Sequence, residues 1–249
     1  SVNSLEDTLR TKQVLAGIGS GDSIAVIGAG STGVEITGEL LEIFKGRVNI
    51  SLIELLTSVL PGMDTGLGSS VSKYLTAMGA KIYTSTKVKE IQQGKILTDK
   101  GEIAAKIVIW CAGIKPSSLA ETLDVEKSHG WIIVDPFLRI KGFDDAYAIG
   151  DVAWVEIDGK VAARSGFEAE MQGFAAAANA VRGNGGEKPV KYKVRSTADN
   201  PSMLISLGND KAVASLGDVF FSINFSSPSG LLYRMKRRFD MGYVKSFSK

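Results

Sequence analysis

The chain has 249 residues, 44% of them hydrophobic and 22% charged, with a net charge of only +2. This is ordinary globular composition, enough for one large or two ordinary domains, and it argues against disorder. One cysteine excludes an intramolecular disulfide framework and a four-cysteine zinc site, one histidine excludes most zinc catalysis, and the longest apolar run (107–114) is too short to span a bilayer. No secretory signal is expected.

Residues 22–28, DSIAVIG, form a short apolar run of the kind that makes a buried parallel strand. Gly28-Ala29-Gly30-Ser31-Thr32-Gly33 follows at once, a complete G-x-G-x-x-G. A helix is predicted next, with Ile36, Leu40, Ile43 and Phe44 on one stripe and Gly46 placed to end it. Residues 48–54 then alternate as a second strand that finishes on Glu54. This order is what dinucleotide binding requires. Gly28 permits the tight turn, Gly30 lets backbone approach a pyrophosphate, and Gly33 allows the helix to lie close on the strand. The helix N-terminus at Ser31 and Thr32 offers free N–H groups to phosphate. Glu54 lies 21 residues after Gly33, where a carboxylate accepts hydrogen bonds from the adenosine ribose. Leu55 and Leu56 follow it rather than a cation, so a 2′-phosphate meets repulsion and NADH is favoured over NADPH.

Further on, Val71, Tyr74, Leu75 and Met78 fit a helix ending at Gly79. Short strands are predicted over 81–84, 88–92, 95–98 and 102–105, the last three as a β-meander joined by Gln93-Gly94 and Asp99-Lys100-Gly101. Another buried strand, 107–111, runs into Ala112-Gly113, where a second close approach to a cofactor is expected. Residues 146–149 read as a strand ending in Gly150-Asp151, which either makes an ordinary turn or, given the order of elements before it, places one carboxylate ready for ribityl or ribose hydroxyls. Cys111 reads as a core residue and His129 as a loop residue. The last twenty residues hold six basic residues against one acid, so this tail carries +5 and the rest of the chain −3. Leu231, Leu232, Met235, Phe239 and Tyr243 recur near every fourth position, which predicts an amphipathic helix with a cationic face, interrupted at Gly242. Such a helix either packs on its own domain or meets a membrane surface or partner. An acidic body without a basic stripe speaks against nucleic acid.

Taken together, these stretches resemble the pyridine-nucleotide oxidoreductase flavoproteins with two dinucleotide-binding domains, above all type II NADH dehydrogenases and apoptosis-inducing-factor-like NADH:quinone oxidoreductases. The resemblance is carried by IAVIGAGSTGVEITGEL (24–40), IVIWCAGIKP (107–116) and WIIVDPFLRIKGFDDAYAIGDVA (131–153). Weaker matches are EAEMQGFAAAANAV (168–181) and MLISLGNDKAVASLG (203–217). It implies an α/β fold: a Rossmann-like NADH-binding domain (parallel sheet plus β-meander), the C-terminal part of an FAD-binding domain and a small C-terminal α+β region. The corresponding boundaries are 1–21 for a helical lead-in, 22–136, 137–188 and 189–249.

The resemblance also implies roles. Glu35 positions the nicotinamide beside the flavin, Gly113 lines the nicotinamide side, and Gly150 and Asp151 receive the FAD ribityl chain. Residues 169–173, Met171 among them, bring helix N–H groups to the flavin ring, and Gln172 with Phe167 lies where an electron acceptor enters. FAD and NADH are the implied cofactors, and a quinone-like acceptor is the implied partner. A homodimer and a peripheral membrane contact through 230–249 are within the same expectation, as is a cytoplasmic location. One departure matters. Family members carry an N-terminal βαβ unit with its own G-x-G-x-x-G for the ADP moiety of FAD, and the 21 residues ahead of the first strand contain no such fingerprint. The chain is therefore expected to bind NADH alone while holding FAD weakly or not at all. Two functions remain from this reading: an FAD-dependent NADH oxidoreductase, or a nucleotide-binding module without turnover of its own.

Overall fold

A computed structural model describes residues 5–217 and 224–246. The described residues fall into two compact units. The first takes the residues up to Gly113 together with Leu204–Ala214 and those from Asn224 onward; the second takes Ile114–Met203 and the residues from Ser215.

In the first unit, α1 (Leu5–Ala16) buries no side chain. β1 (Ser23–Ile27) is buried on both faces, with Ile24, Ala25 and Val26 fully inaccessible, as its unbroken apolar run requires. α2 (Ser31–Phe44) follows the glycine loop and buries Val34, Leu40, Leu41 and Phe44. Lys45 caps it in the left-handed region, and its N–H donates to Leu41 O. β2 (Asn49–Ile53), α3 (Thr65–Ala77), β3 (Lys81–Tyr83) and β7 (Ile107–Trp110) complete a parallel sheet of order β3-β2-β1-β7. This is the doubly wound order of a dinucleotide-binding sheet. Between β3 and β7 lies the antiparallel meander β4 (Val88–Gln92), β5 (Lys95–Thr98) and β6 (Gly101–Ala104). α3 begins well before the apolar stripe at Val71, because the Asp64 carboxylate accepts the Leu67 N–H at 2.9 Å and caps the helix there.

β13 (Ser202–Ser206), β14 (Ala212–Leu216) and β15 (Asn224–Ser229) form a three-stranded sheet in that order, and α6 (Gly230–Ser246) follows. α6 runs straight through Gly242, where an interruption is expected. A single mid-helix glycine costs only about 1 kcal/mol relative to alanine, too little to break a helix of this length. Leu232 packs with Ala212 and Ala214, whereas Leu231, Met235, Phe239, Met241, Tyr243 and Val244 are exposed.

The second unit holds α4 (Ser118–Thr122), β8 (Lys127–Ser128), β9 (Trp131–Ile133), β10 (Ala153–Trp154), β11 (Glu156–Ile157), β12 (Lys160–Val161) and α5 (Gly166–Asn184). Ile132, Val134, Leu138, Ala148, Val155 and Ala176 share its core. Residues 146–149 are not a regular strand. Tyr147 makes an isolated bridge to Arg139, Ala148 N–H donates to Leu138 O, and the chain turns into a 3₁₀ turn at Gly150–Val152. A strand needs a run of successive paired residues, and among the described residues this stretch makes one isolated bridge instead of a ladder. No helix among the described residues is long and apolar enough to cross a membrane.

Candidate functional site

The glycine loop is fixed by its neighbours on three sides. Gly28 N–H donates to Ile53 O at 2.8 Å, Cys111 N–H to Ile27 O at 2.7 Å, and Leu60 N–H to Ala29 O at 2.9 Å. The three fingerprint glycines have three different surroundings. Gly28 has φ +97°, and a Cβ there would lie 2.8 Å from Ala112 Cα and N. A Cβ on Gly33 would lie 1.8 Å from Gly28 O, so the helix sits on the loop at a distance only glycine permits. A Cβ on Gly30 meets nothing within 4 Å. Gly30 is also the N-cap of α2 and supplies no side-chain cap to the first-turn N–H groups around Ser31 and Thr32. An uncapped helix start beside open space is what a phosphate requires. Gly113, at φ +82°, is likewise open, beyond β7 and the half-exposed Trp110.

Glu54 is buried, and its carboxylate is already in use. Oε2 accepts Ala29 N–H at 2.7 Å and Oε1 accepts Leu56 N–H at 2.8 Å. These bonds lock the acid to the glycine loop and leave each oxygen a lone pair for a ribose hydroxyl. Leu55 and Leu56 are exposed beside it.

Glu35 stands in the first turns of α2, and its partners come from distant sequence. Ser206 N–H donates to Oε1 at 3.0 Å, and Lys236 Nζ lies 3.2 Å from the same oxygen. Lys236 also reaches Asp240 Oδ2 at 3.6 Å. Burial pulls the Lys236 pKa down, yet Glu35 and Asp240 outweigh it and the net displacement is upward, so the ammonium stays charged. Cys111, half-buried at the end of β7, has its thiol pKa pushed up by burial, which disfavours a reactive thiolate.

The remaining candidates belong to the second unit. Gly150, at φ +65°, donates its N–H to Gln172 Oε1 at 2.7 Å. Gln172 is buried, and this bond makes it a brace for the Gly150–Asp151 turn. Asp151 is exposed, and its backbone carbonyl accepts Trp131 Nε1–H at 3.0 Å. Arg164 lies over the Trp131 ring, its guanidinium carbon 4.0 Å from the centroid. Burial lowers the Arg164 pKa and the nearby Asp151 charge works against that. α5 opens at Gly166, earlier than the 168–181 stretch suggests, with the Ser165 hydroxyl accepting Glu168 N–H. Ala169 N–H already donates to Ser165 O, so among the described residues the first-turn N–H groups left without a partner are those of Gly166 and Phe167. The N–H groups of 169–173, Met171 included, are committed to the helix.

Several residues escaped the sequence reading. Glu168 is fully buried and accepts Tyr192 Oη–H at 2.7 Å and Ser196 N–H at 2.9 Å, tying the 192–196 stretch to α5. Ser165-x-x-Glu168 is a capping-box spacing and could have marked both the helix start and the acid. Nothing local announces Lys236 or Ser206 as partners of Glu35, since the pairing is a tertiary event. Arg164, next to the Gly150–Asp151 turn, carries no motif either.

A model of the pyridine nucleotide-disulphide oxidoreductase family matches residues 1–183. The NADH dehydrogenase-like protein YutJ of Bacillus subtilis (strain 168) is 29% identical over 154 residues, 61% of this chain and 43% of that protein. The type II NADH:quinone oxidoreductase of Haemophilus influenzae is 30% identical over 216 residues, 80% of this chain and 47% of that protein. Among solved structures, a NAD-dependent persulfide reductase from A. fulgidus superposes with a TM-score of 0.70 at 25% identity, over 86% of this chain and 39% of that one. The chain thus spans less than half the length of each of these proteins.

Proposed function

Because the chain belongs to the pyridine nucleotide-disulphide oxidoreductase family, we propose that it is the NADH-binding portion of a flavoprotein oxidoreductase that takes hydride from NADH and passes electrons to a quinone-like acceptor. The observation that carries this reading is the loop from Gly28 to Gly33. It combines an uncapped helix start, open space over Gly30 and a carboxylate, Glu54, bonded to the loop itself.

In this reading the pyrophosphate lies over Gly30 with Ser31 and Thr32 at the helix N-terminus. Glu54 receives the adenosine ribose and repels a 2′-phosphate. Glu35 and Gly113 face the nicotinamide end. Residues 22–113, which lie in the first unit, make the NADH domain, and 137–188, in the second, contribute the C-terminal share of an FAD domain. There Gly150, Asp151 and the N–H groups at the start of α5 would meet the flavin side, and Gln172 would brace that turn. When bound, FAD supplies the atom that accepts the hydride; the chain's own residues bind and orient the dinucleotide and need no side-chain nucleophile. The exposed apolar residues of α6, flanked by Arg234, Arg237, Arg238 and Lys245, would rest on an anionic membrane surface.

The test is reconstitution. The chain, combined with FAD and an upstream FAD-binding βαβ unit, is expected to show flavin absorbance and to oxidise NADH with a soluble quinone. No flavin retention and no turnover under those conditions would overturn the enzyme reading and leave a nucleotide-binding module.

A further inference from the structure

One face of α2 presents Glu35, Glu39 and Glu42 on successive turns, and the C-terminal segment meets all three. Ser206 N–H donates to Glu35 Oε1 at 3.0 Å, Ser206 Oγ–H to Glu39 Oε1 at 3.2 Å, and Asn209 N–H to Glu42 Oε2 at 2.6 Å. Between them the two backbones touch. A Cβ on Gly38 would lie 2.3 Å from Leu207 C and O, and one on Gly208 would lie 2.3 Å from Gly38 O. Glycine on both sides makes this a built contact, and it holds α2 in register with Ser206. Into the same place α6 delivers Lys236, whose Nζ lies 3.2 Å from Glu35 Oε1 with only 24% of the side chain exposed.

We propose that Lys236, acting through Glu35, sets the preference of the dinucleotide site for the reduced over the oxidised coenzyme. This rests on the reading that Glu35 faces the nicotinamide end. The oxidised nicotinamide ring is a cation and the reduced ring is neutral, while the rest of the two molecules is the same. A lone carboxylate beside the ring favours the cation and so holds the oxidised form, which is the product of hydride donation. An ammonium on that carboxylate cancels the bias, at a place where partial burial limits screening by water. Lys236 is therefore a positioning and charge-setting residue, supplied by a helix far from the glycine loop in sequence. Asp240 competes for the same ammonium at 3.6 Å and weakens its effect on Glu35.

The test is calorimetric titration of NADH and NAD+ into the full chain, read as the ratio of the two dissociation constants. Lys236→Gln is expected to tighten NAD+ relative to NADH by about three- to tenfold. Lys236→Arg is expected to keep the wild-type ratio. Glu35→Gln is expected to weaken NAD+ relative to NADH and to abolish the effect of Lys236→Gln in the double variant. Should Lys236→Gln fold poorly, Asp240→Asn at the exposed end of the pair is expected to weaken NAD+ relative to NADH by about twofold. An unchanged or opposite shift there overturns the proposal. A ratio moved by Glu35→Gln but untouched by Lys236→Gln overturns the role of Lys236 and leaves the Glu35 reading standing. A ratio indifferent to both, or no binding of either coenzyme, overturns the Glu35 reading and the proposal with it. Equal weakening of both coenzymes in Lys236→Gln, with a lower urea midpoint, shows a packing role and also overturns it.

Discussion

Gly30 and Gly33 stand three residues apart in one loop, and the structure assigns them opposite sensitivities to the same added methyl group. In Gly33→Ala the new Cβ starts 1.8 Å from Gly28 O. An ordinary C···O contact needs about 3.3 Å or more, so α2 must withdraw from the loop by roughly 1.5 Å. Overpacking of that kind costs up to about 3 kcal/mol, and the better helix propensity of alanine returns at most about 1 kcal/mol, for a net loss near 2 kcal/mol. With a urea slope of about 2 kcal/mol/M the midpoint falls by about 1 M. In Gly30→Ala nothing lies within 4 Å of the new atom, and φ of −66° suits any residue. The weaker N-cap costs within about 1 kcal/mol. The methyl group instead enters the space in front of the helix N-terminus, and NADH affinity is expected to fall about ten- to a hundredfold. Urea unfolding and NADH titration of both variants check this. A Gly30→Ala chain that binds NADH as the wild type does, or a Gly33→Ala chain with an unshifted midpoint, would refute the reasoning.

Three further outcomes follow from other parts of the molecule. Tyr192→Phe removes a hydroxyl donated to the buried Glu168 and is expected to cost about 1.5–3 kcal/mol in urea unfolding. Burial, with the Glu168 bond, pushes the Tyr192 pKa far above its ordinary value, so above about pH 10 only the unfolded chain loses the proton. Stability present below that pH is thus lost as pH rises, and the Tyr192→Phe chain is expected to lack this alkaline slope. Leu232→Ala is expected to cost about 2 kcal/mol because Leu232 packs α6 on β14, whereas Met235→Ala, at an exposed position, changes stability by less than about 0.5 kcal/mol. Replacing Arg234, Arg237 and Arg238 together by Gln is expected to weaken binding to anionic liposomes about a hundredfold at unchanged stability, read by flotation; equal binding would remove the membrane role of α6.

Most of the first unit was legible because its signals are local. An unbroken apolar run at Ile24–Ile27, a glycine loop and a terminal acid at Glu54 each leave a pattern within a few residues, and the meander is punctuated by Gly94 and Gly101. The strand order follows from those elements, since parallel strands joined by helices have few arrangements. The errors have one physical source. Residues 146–149 have strand composition, but a strand is completed by a continuous ladder with its partner, and here the described residues supply only the isolated bridge at Tyr147. Gly242 has breaker composition, but sixteen other helical residues outweigh one glycine. At the site, the glycines were readable as types and their surroundings were not. That Gly33 is crowded and Gly30 open depends on where Gly28 O points. The partners of Glu35 were out of reach, because Ser206 and Lys236 are separated from it by most of the chain.

Gly28–Glu54 is the proposed NADH site. Its most direct test is a comparison of dissociation constants for NADH and NADPH on the full chain. NADH is expected to bind at least about tenfold more tightly, because a 2′-phosphate must approach the Glu54 carboxylate with no cation at positions 55 and 56. Equal affinity for the two coenzymes, or binding of neither, would contradict the account.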